Sequence, residues 1–514
     1  MEFLDFSGGI NWRLPAYRLP KNQCVYLQNF RHENGFMESI PGMRRYHTAS
    51  LGSDPVTAIM PYYGEDTALY VNLVASGDSI YKRDESANTY ASIKSGLVPN
   101  SIFTHAIRRG VMYIASLGDD LMKYLGGNQI ETVGGGLTKP GKFRKIVYMR
   151  EIDRLFGLGD TTIKGQISWC DISAPEIWDA ANVDRMKLED GEDVQGGEIL
   201  YGKLIILNDY SIWIYYVYGT EDNWKLEKAP TRLGCRAPNT IKVVGNEIWF
   251  LGESPREGIG IYAFNGSTSR ILTDDITPLF ERINSEKIDQ CAAEYHNGIY
   301  KLSFPLDFQT SNSHTVELDS LNLKEDGTPA IYGPHTYFFH SSAVLNTINK
   351  NGELLMGDYS DGFIYYENGT TLKSTNGNDG TLMQLRFLSG IHNDDKIDIM
   401  KRYENLRIFF IPRGYFETKL RVYFSYGEST KTQYPFFPDA NMTSIMGDFN
   451  VYDERILGTP DLSQYLARLG ANARGTSIQI EIVSDAVGNR LALQGFKYDP
   501  VDLYQTRRVQ SYAF

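Results

Sequence analysis

Residues 239–272 read NTIKVVGNEIWFLGESPREGIGIYAFNGSTSRIL. Thr240–Val244 and Glu247–Leu251 flank the two-residue loop Gly245-Asn246, and Ile259–Phe264 and Ser267–Leu272 flank Asn265-Gly266. Loops of two residues need positive φ, which Gly and Asn adopt at little cost, and their twist matches the strands they join. The stretch therefore predicts two consecutive hairpins, a four-stranded meander too small to bury a face alone. Such units must stack. Related first-hairpin turns fall at Gly64, Gly110, near Arg150-Glu151, and at Gly202, Gly245, Gly298 and Gly352, at intervals of between about 40 and 55 residues. The expectation is an all-β chain: a β-propeller of six or seven four-stranded blades, with seven favoured, over residues 51–375.

Two regions break the repeat. Residues 1–50 combine Gly8-Gly9, the Leu14-Pro15 and Leu19-Pro20 steps and a hairpin turn at Asn34-Gly35. They predict an N-terminal arm whose strand Phe36–Ile40 pairs with the last blade and closes the ring, removing two exposed sheet edges. Beyond about residue 378, longer strands are predicted at Leu382–Leu388, Leu406–Ile411, Lys419–Ser425, Thr476–Val483 and Leu491–Tyr498. These point to a C-terminal β-sandwich-like domain over 376–514. Helices are expected only at Pro278–Ile283 and Pro460–Leu469, each with Pro near its first turn.

Composition narrows the function classes. The 514 residues carry a net charge of −12 and no basic run, which disfavours tight nucleic-acid binding. The 34 Tyr and 25 Phe suit half-buried strands and extended interfaces. No apolar stretch is long enough to predict a membrane segment, and the first residues show no secretory signal. Cys24, Cys170, Cys235 and Cys291 are widely spaced, which predicts buried thiols in a reducing compartment.

Several motifs suggest chemistry and have plainer readings. Gly136–Lys142 matches most of a phosphate-binding loop, but Phe143 stands where Ser or Thr would hold magnesium, and an inter-blade loop is expected. His392, Asp394, Asp395 and Asp398 offer metal ligands, and so does the turn Gly357–Gly362, yet solvated loop carboxylates are the expectation. The run Leu188–Asp193 could supply paired carboxylates for glycoside hydrolysis or form a surface turn. No GxSxG or HExxH string occurs. No catalytic residue, cofactor or metal is therefore predicted, and the chain is read as a non-enzyme. Arg44-Arg45 could meet an acidic partner or form a strand-edge pair, and both readings stay open.

The arm reads Phe6-Ser-Gly-Gly-Ile-Asn-Trp-Arg-Leu-Pro15, then Leu19-Pro-Lys-Asn-Gln-Cys-Val-Tyr-Leu-Gln-Asn29, then Gly35-Phe-Met-Glu-Ser-Ile-Pro-Gly-Met-Arg-Arg-Tyr46. This resembles the opening of propeller-built tail hub or nozzle proteins of tailed, especially short-tailed, bacteriophages. Ile40 stands where that group commonly has Arg before Pro-Gly. Residues 233–266, Ala292–Tyr300 and the closing Gly495–Arg508 look similar to the same group.

The resemblance implies a structural virion protein located in the tail and assembled in the host cytoplasm. Its copies would form a ring, commonly a homohexamer, below the portal and its adaptor. That ring would continue the DNA channel without sequence-specific contacts, retain the genome and support fibres or spikes. Trp12, Arg13, Tyr17, Arg18, Arg44 and Arg45 are the expected interface residues, because Trp, Tyr and Arg dominate interface energy. Packing of Trp12 and Tyr17 on their own chain is the plain alternative for those two. Two rival functions remain: a carbohydrate-binding propeller that recognises a host surface, and a propeller glycosidase.

Overall fold

The computed structural model describes the chain except residues 1, 4, 65–69, 135–139, 190, 348–349, 369–383, 394–398, 413–417, 426–428, 437–462, 470–472, 485–490 and 506–514. It divides into two compact units. One comprises residues 44–314 and 338–367; the other comprises 1–43, 315–337 and 368–514.

The first unit is a β-propeller. The quoted stretch forms Lys242–Val244, Glu247–Ser254, Gly258–Phe264 and Ser269–Ile271, joined antiparallel in sequence order. Its turns fall where expected, with positive φ at Gly245 and Gly266. Elsewhere the same turn uses pairs with both residues at positive φ: Arg109-Gly110, Tyr201-Gly202 and Asn297-Gly298. That is the primed geometry whose twist suits a hairpin.

Six complete sheets follow this plan: residues 56–94, 104–132, 143–185, 194–228, 234–271, and Ser341–Thr347 with Lys350–Gly357 and Ile364–Asn368. The favoured count of seven four-stranded blades is corrected to six. The remaining copy contributes to this unit only the hairpin Ala292–His296 and Ile299–Phe304, because residues 315–337, which follow it, belong to the other unit.

Apolar faces meet between neighbouring blades, and that is where the core lies. Met60, Leu73, Met112 and Ile114 join the first two blades. Tyr113, Phe143 and Leu155 join the next pair, followed by Phe156, Trp169, Leu204 and Tyr215. Leu207, Ile248, Phe250 and Phe264 join the fourth and fifth. Val56, Val74, Leu345 and Ile364 join the sixth to the first. Full burial of each such side chain is worth about 1.5–3 kcal/mol relative to exposure.

The Ala292–Phe304 hairpin sits between the fifth and sixth blades. The Tyr300 hydroxyl donates to the Thr240 carbonyl at 2.7 Å, and the Ser342 hydroxyl donates to the Ala293 carbonyl at 3.3 Å. The ring is closed by an N-terminal strand, but not the expected one. Gly42–Arg45 is the outer strand of the sixth blade, and the Tyr46 amide donates to the Ile364 carbonyl at 2.8 Å. Phe36–Ser39 instead pairs with Phe30–Glu33 and Leu491–Gln505 in the other unit.

The second unit gathers three distant segments into two sheets. In one, the order is Ser463–Arg468, Ile399–Pro412, Leu491–Gln505, Phe36–Ser39, Phe30–Glu33. In the other, Pro329–His335, Gly9–Ile10, Gln23–Gln28, Leu385–Ser389, Ile478–Ser484, Thr418–Phe424 and Ser429–Phe436 follow in order. Phe6 packs edge-on against Phe387 of one sheet at 5.0 Å and stacks on Phe496 of the other at 5.8 Å. The boundaries expected at residues 50 and 376 therefore do not separate an arm from a C-terminal domain. Residues 1–43 are strands of the same unit as the C-terminal strands, since their edges pair with them.

Ser463–Arg468 is a strand where Pro460–Leu469 was expected to be helical; its sheet pairing with Ile399–Pro412 overrides the local helix-start signal. The expected helix near Pro278 is present over Thr277–Phe280. All four cysteines are buried and free. Among the described residues no helix is long and apolar enough to cross a membrane.

Candidate functional site

A groove in the second unit and a cavity in the propeller each gather polar side chains around an opening. The first lies at the arm. Asn11 is buried, and its side-chain oxygen accepts from the Arg13 and Leu14 amides at 3.0 Å each, turning the chain outward. Pro15 then precedes one turn of 3-10 helix, Ala16–Arg18. Trp12 lies flat on Tyr26, with ring centroids 6.0 Å apart and planes 4° from parallel, and its indole N–H donates to the Val25 carbonyl at 2.6 Å. Arg386 covers the Tyr26 ring at 5.0 Å. These groups, with Leu14 and Leu388, line a groove of about 270 Å³.

Behind the groove the row continues across the sheet. Arg386 pairs with Glu481 at 2.7 Å, and Arg421 and the Tyr423 hydroxyl reach the same carboxylate at 3.2 and 2.5 Å. Burial pushes the Glu481 carboxyl up, but hydrogen bonds from Tyr423 and Arg386 and the charge of Arg386 outweigh it, so the group stays below its ordinary range. A buried carboxylate shared by two guanidinium groups fixes Arg386, and Arg386 fixes the Tyr26 face.

Of the expected interface residues, Trp12, Arg13, Tyr17 and Arg18 all lie on this short stretch. Arg13 and Arg18 are exposed, Tyr17 is 48% exposed, and the Arg18 guanidinium lies 5.7 Å from the Tyr17 ring centre. Trp12 is half-buried, packed on its own unit. Arg44 and Arg45 belong to the propeller. Arg44 is exposed, whereas Arg45 lies over the Phe363 ring at 4.0 Å and donates to the Tyr365 hydroxyl at 3.4 Å. Tyr26, Arg386 and Glu481 were not singled out from sequence. The available signal was the alternation in Leu385–Ser389, which puts Arg386 and Leu388 on one face.

The second place is the propeller axis. Inner strands and the turns beside them enclose a cavity of about 460 Å³ whose wall includes Thr104, His105, Arg144, Lys145, Gln195 and Lys242. Salt bridges link successive inner strands there: Lys145 to Glu198 at 2.7 Å and Lys242 to Glu294 at 2.9 Å. Ser342 donates to the same Glu294 carboxylate at 3.2 Å. Burial, reinforced by the charges of Lys145 and Lys242, pulls the His105 imidazole down to about 4. Sequence reasoning missed this ring of charge. Its signal would be polar residues recurring at equivalent positions of successive inner strands.

Two other motif candidates take part in turns and ion pairs. Glu192 is buried and accepts from Ser211, while Glu189 and Asp193 form ion pairs with Lys228 and Lys164 at 2.8 and 2.7 Å. The acidic run thus engages its own blade and, through Lys164, the preceding one. Asp358 caps the turn before Gly362 by accepting from the Ser360 amide at 2.7 Å. Residues 394–398 and 135–139 lie outside the described residues. Among those described, no group of three His, Cys, Asp or Glu is arranged to hold a metal.

No protein-family model and no curated protein matches the chain. Among solved structures, it is similar to a chain in a crystal structure of the mitotic checkpoint complex. The identity is 11% and the TM-score 0.42, over 70% of this chain and 99% of that one. So distant a likeness carries no argument about this chain.

Proposed function

We propose that the chain is a structural subunit of a bacteriophage tail, acting as a hub or nozzle rather than as an enzyme. Its copies form a homo-oligomeric ring, six-fold by analogy with the resembled group, that continues the DNA channel below portal and adaptor and supports fibres or spikes. The observation that carries this reading is the arm. The residues that resemble tail proteins also present Tyr17 and Arg18 outward beside a groove floored by Trp12, Tyr26 and Arg386. Exposed aromatic and Arg side chains on a braced platform have the chemistry of an interface anchor. The interleaving of the N-terminal and C-terminal segments in one unit supports it further, because such a platform resists deformation when a neighbour binds.

Negative-stain microscopy and sedimentation of the purified protein test the reading, and rings are the expected outcome. Tyr17→Ala combined with Arg18→Ala should abolish them while leaving the melting temperature unchanged. A strictly monomeric protein absent from purified particles would overturn the proposal. Recognition of a host glycan is the second reading, favoured by the flat Trp12 and Tyr26 surfaces in a groove. Binding on a glycan array, lost on Trp12→Ala, would establish it instead.

A further inference from the structure

The cavity at the propeller axis is unused by the tail proposal and is built differently from a plain blade interface. Its cations are not equivalent. Lys145 and Lys242 each face a carboxylate of the next inner strand, so each pair is close to neutral. Arg144 has no such partner among the described residues. Its guanidinium donates to the Gln195 side-chain oxygen at 2.9 Å, and Gln195 in turn gives its amide N–H to Asp209 at 2.6 Å. Gln195 is thus held with its acceptor toward Arg144, whose guanidinium faces a neutral amide rather than a carboxylate. The acid in the cavity wall, Asp289, is exposed.

We propose that this cavity binds a small, sugar-sized molecule bearing an oxyanion, with Arg144 as its anchor. A guanidinium presents a planar fork of donors matched to a carboxylate or phosphate. The Ser101 hydroxyl and the Asn239 amide stand in the same wall and suit the hydroxyls of such a molecule. His105, kept neutral at physiological pH, offers one donor and one acceptor. The volume lies within the range of pockets that enclose small ligands. Because the site is built only of propeller residues, its binding is independent of the role of the arm.

Calorimetric titration of the full chain with inorganic phosphate, glucuronate and glucose tests the site. Phosphate or glucuronate should bind and glucose should not; whichever anion binds names the oxyanion. Arg144→Gln should weaken that binding by at least ~10-fold, the scale of one charge-assisted contact. Gln195→Glu combined with Asp209→Asn, which keeps an amide N–H facing the side chain at 195, should have the same effect with almost no change in volume, by supplying Arg144 with its own carboxylate. Arg236→Gln, elsewhere on the propeller, should bind as the unaltered chain does. Melting curves identify any variant that fails to fold, and the other variant then decides. Failure of both anions to bind the unaltered chain, or unchanged affinity in a folded Arg144→Gln variant or a folded Gln195→Glu, Asp209→Asn variant, would overturn the proposal.

Discussion

The propeller and the second unit are both all-β, yet they are assembled by opposite routes. In the propeller, each sheet is made almost wholly of strands adjacent in sequence, and neighbouring blades are neighbours in the chain. In the second unit, strands from both termini and from residues 315–337 share sheets. The Asn29 amide donates to His335 across 306 residues, and the Leu491 amide donates to Ser39 across 452. Local hairpins can form early and tolerate a poor copy, whereas a sheet sewn from distant segments depends on a few close approaches. The comparison teaches that the same substitution should cost more in the second unit.

The largest expected effect is at Gly9. Its φ is +70°, and a Cβ there would lie 2.3 Å from the Ile331 carbonyl oxygen, so Gly9→Ala must separate the arm from Pro329–His335. Loss of about 4 kcal/mol or more is expected, seen as a lowered denaturation midpoint and cleavage near the N-terminus in limited proteolysis. Gly245→Ala in the propeller is the matched control. Its φ is also positive, but nothing lies within 4 Å, so about 1–2 kcal/mol is expected. Equal costs would break the comparison.

Asn29→Ala comes next. Asn29 donates to Thr336 Oγ1 and the Gln384 carbonyl at 2.9 and 2.8 Å and accepts from the Thr336 amide at 3.0 Å, tying all three segments of the second unit. Removing it leaves partly buried partners without their hydrogen bonds, at about 1–2 kcal/mol by chemical denaturation.

Acid should act more strongly on the propeller. Burial is the leading cause that pulls His47, His105 and His340 down to about 4, and His392 in the second unit likewise. A folded value below the ordinary 6.5 means that the unfolded chain takes up protons first. The stability is therefore present above pH 6.5 and lost as pH falls toward about 4. Melting temperatures measured across that window should drop, with the propeller transition moving more. His47→Gln should flatten the slope, because protonated His47 can no longer accept from the Ile364 amide at 3.0 Å. A pH-independent propeller transition would contradict this.

The smallest effect is at the axis. Lys145 and Glu198 are both partly exposed, so Lys145→Met should change stability by no more than about 1 kcal/mol and lose even that at high salt. A larger cost, read from denaturation midpoints, would mean that inter-blade ion pairs carry more of the ring than its apolar faces.

Much of the propeller was legible because its information is local. Alternating apolar residues and Gly-bearing turns mark Asn239–Leu272 without reference to any other part of the chain. Blade number was not legible in the same way. The copy at Ala292–Phe304 reads like the others, and only the placement of residues 315–337 in the other unit limits its contribution here. At the candidate interface, Trp12, Tyr17 and Arg18 stood out by residue type within one short stretch. Tyr26 and Arg386 did not, since neither is unusual until their strands pair, through Tyr26 opposite Leu388 and Gln28 opposite Arg386. The axial cavity was missed because each blade supplies only one or two of its polar residues.

By itself, then, the sequence determined the all-β class and the four-stranded cassette with its turns. Both follow from period-two alternation and φ preferences that act within a few residues. Tertiary structure alone decided which strand closes the ring, which segments share the second unit, and that Arg144 faces an amide while Lys145 and Lys242 face carboxylates. Those outcomes depend on pairings across hundreds of residues, where many alternatives have similar local energies and only the packed whole separates them.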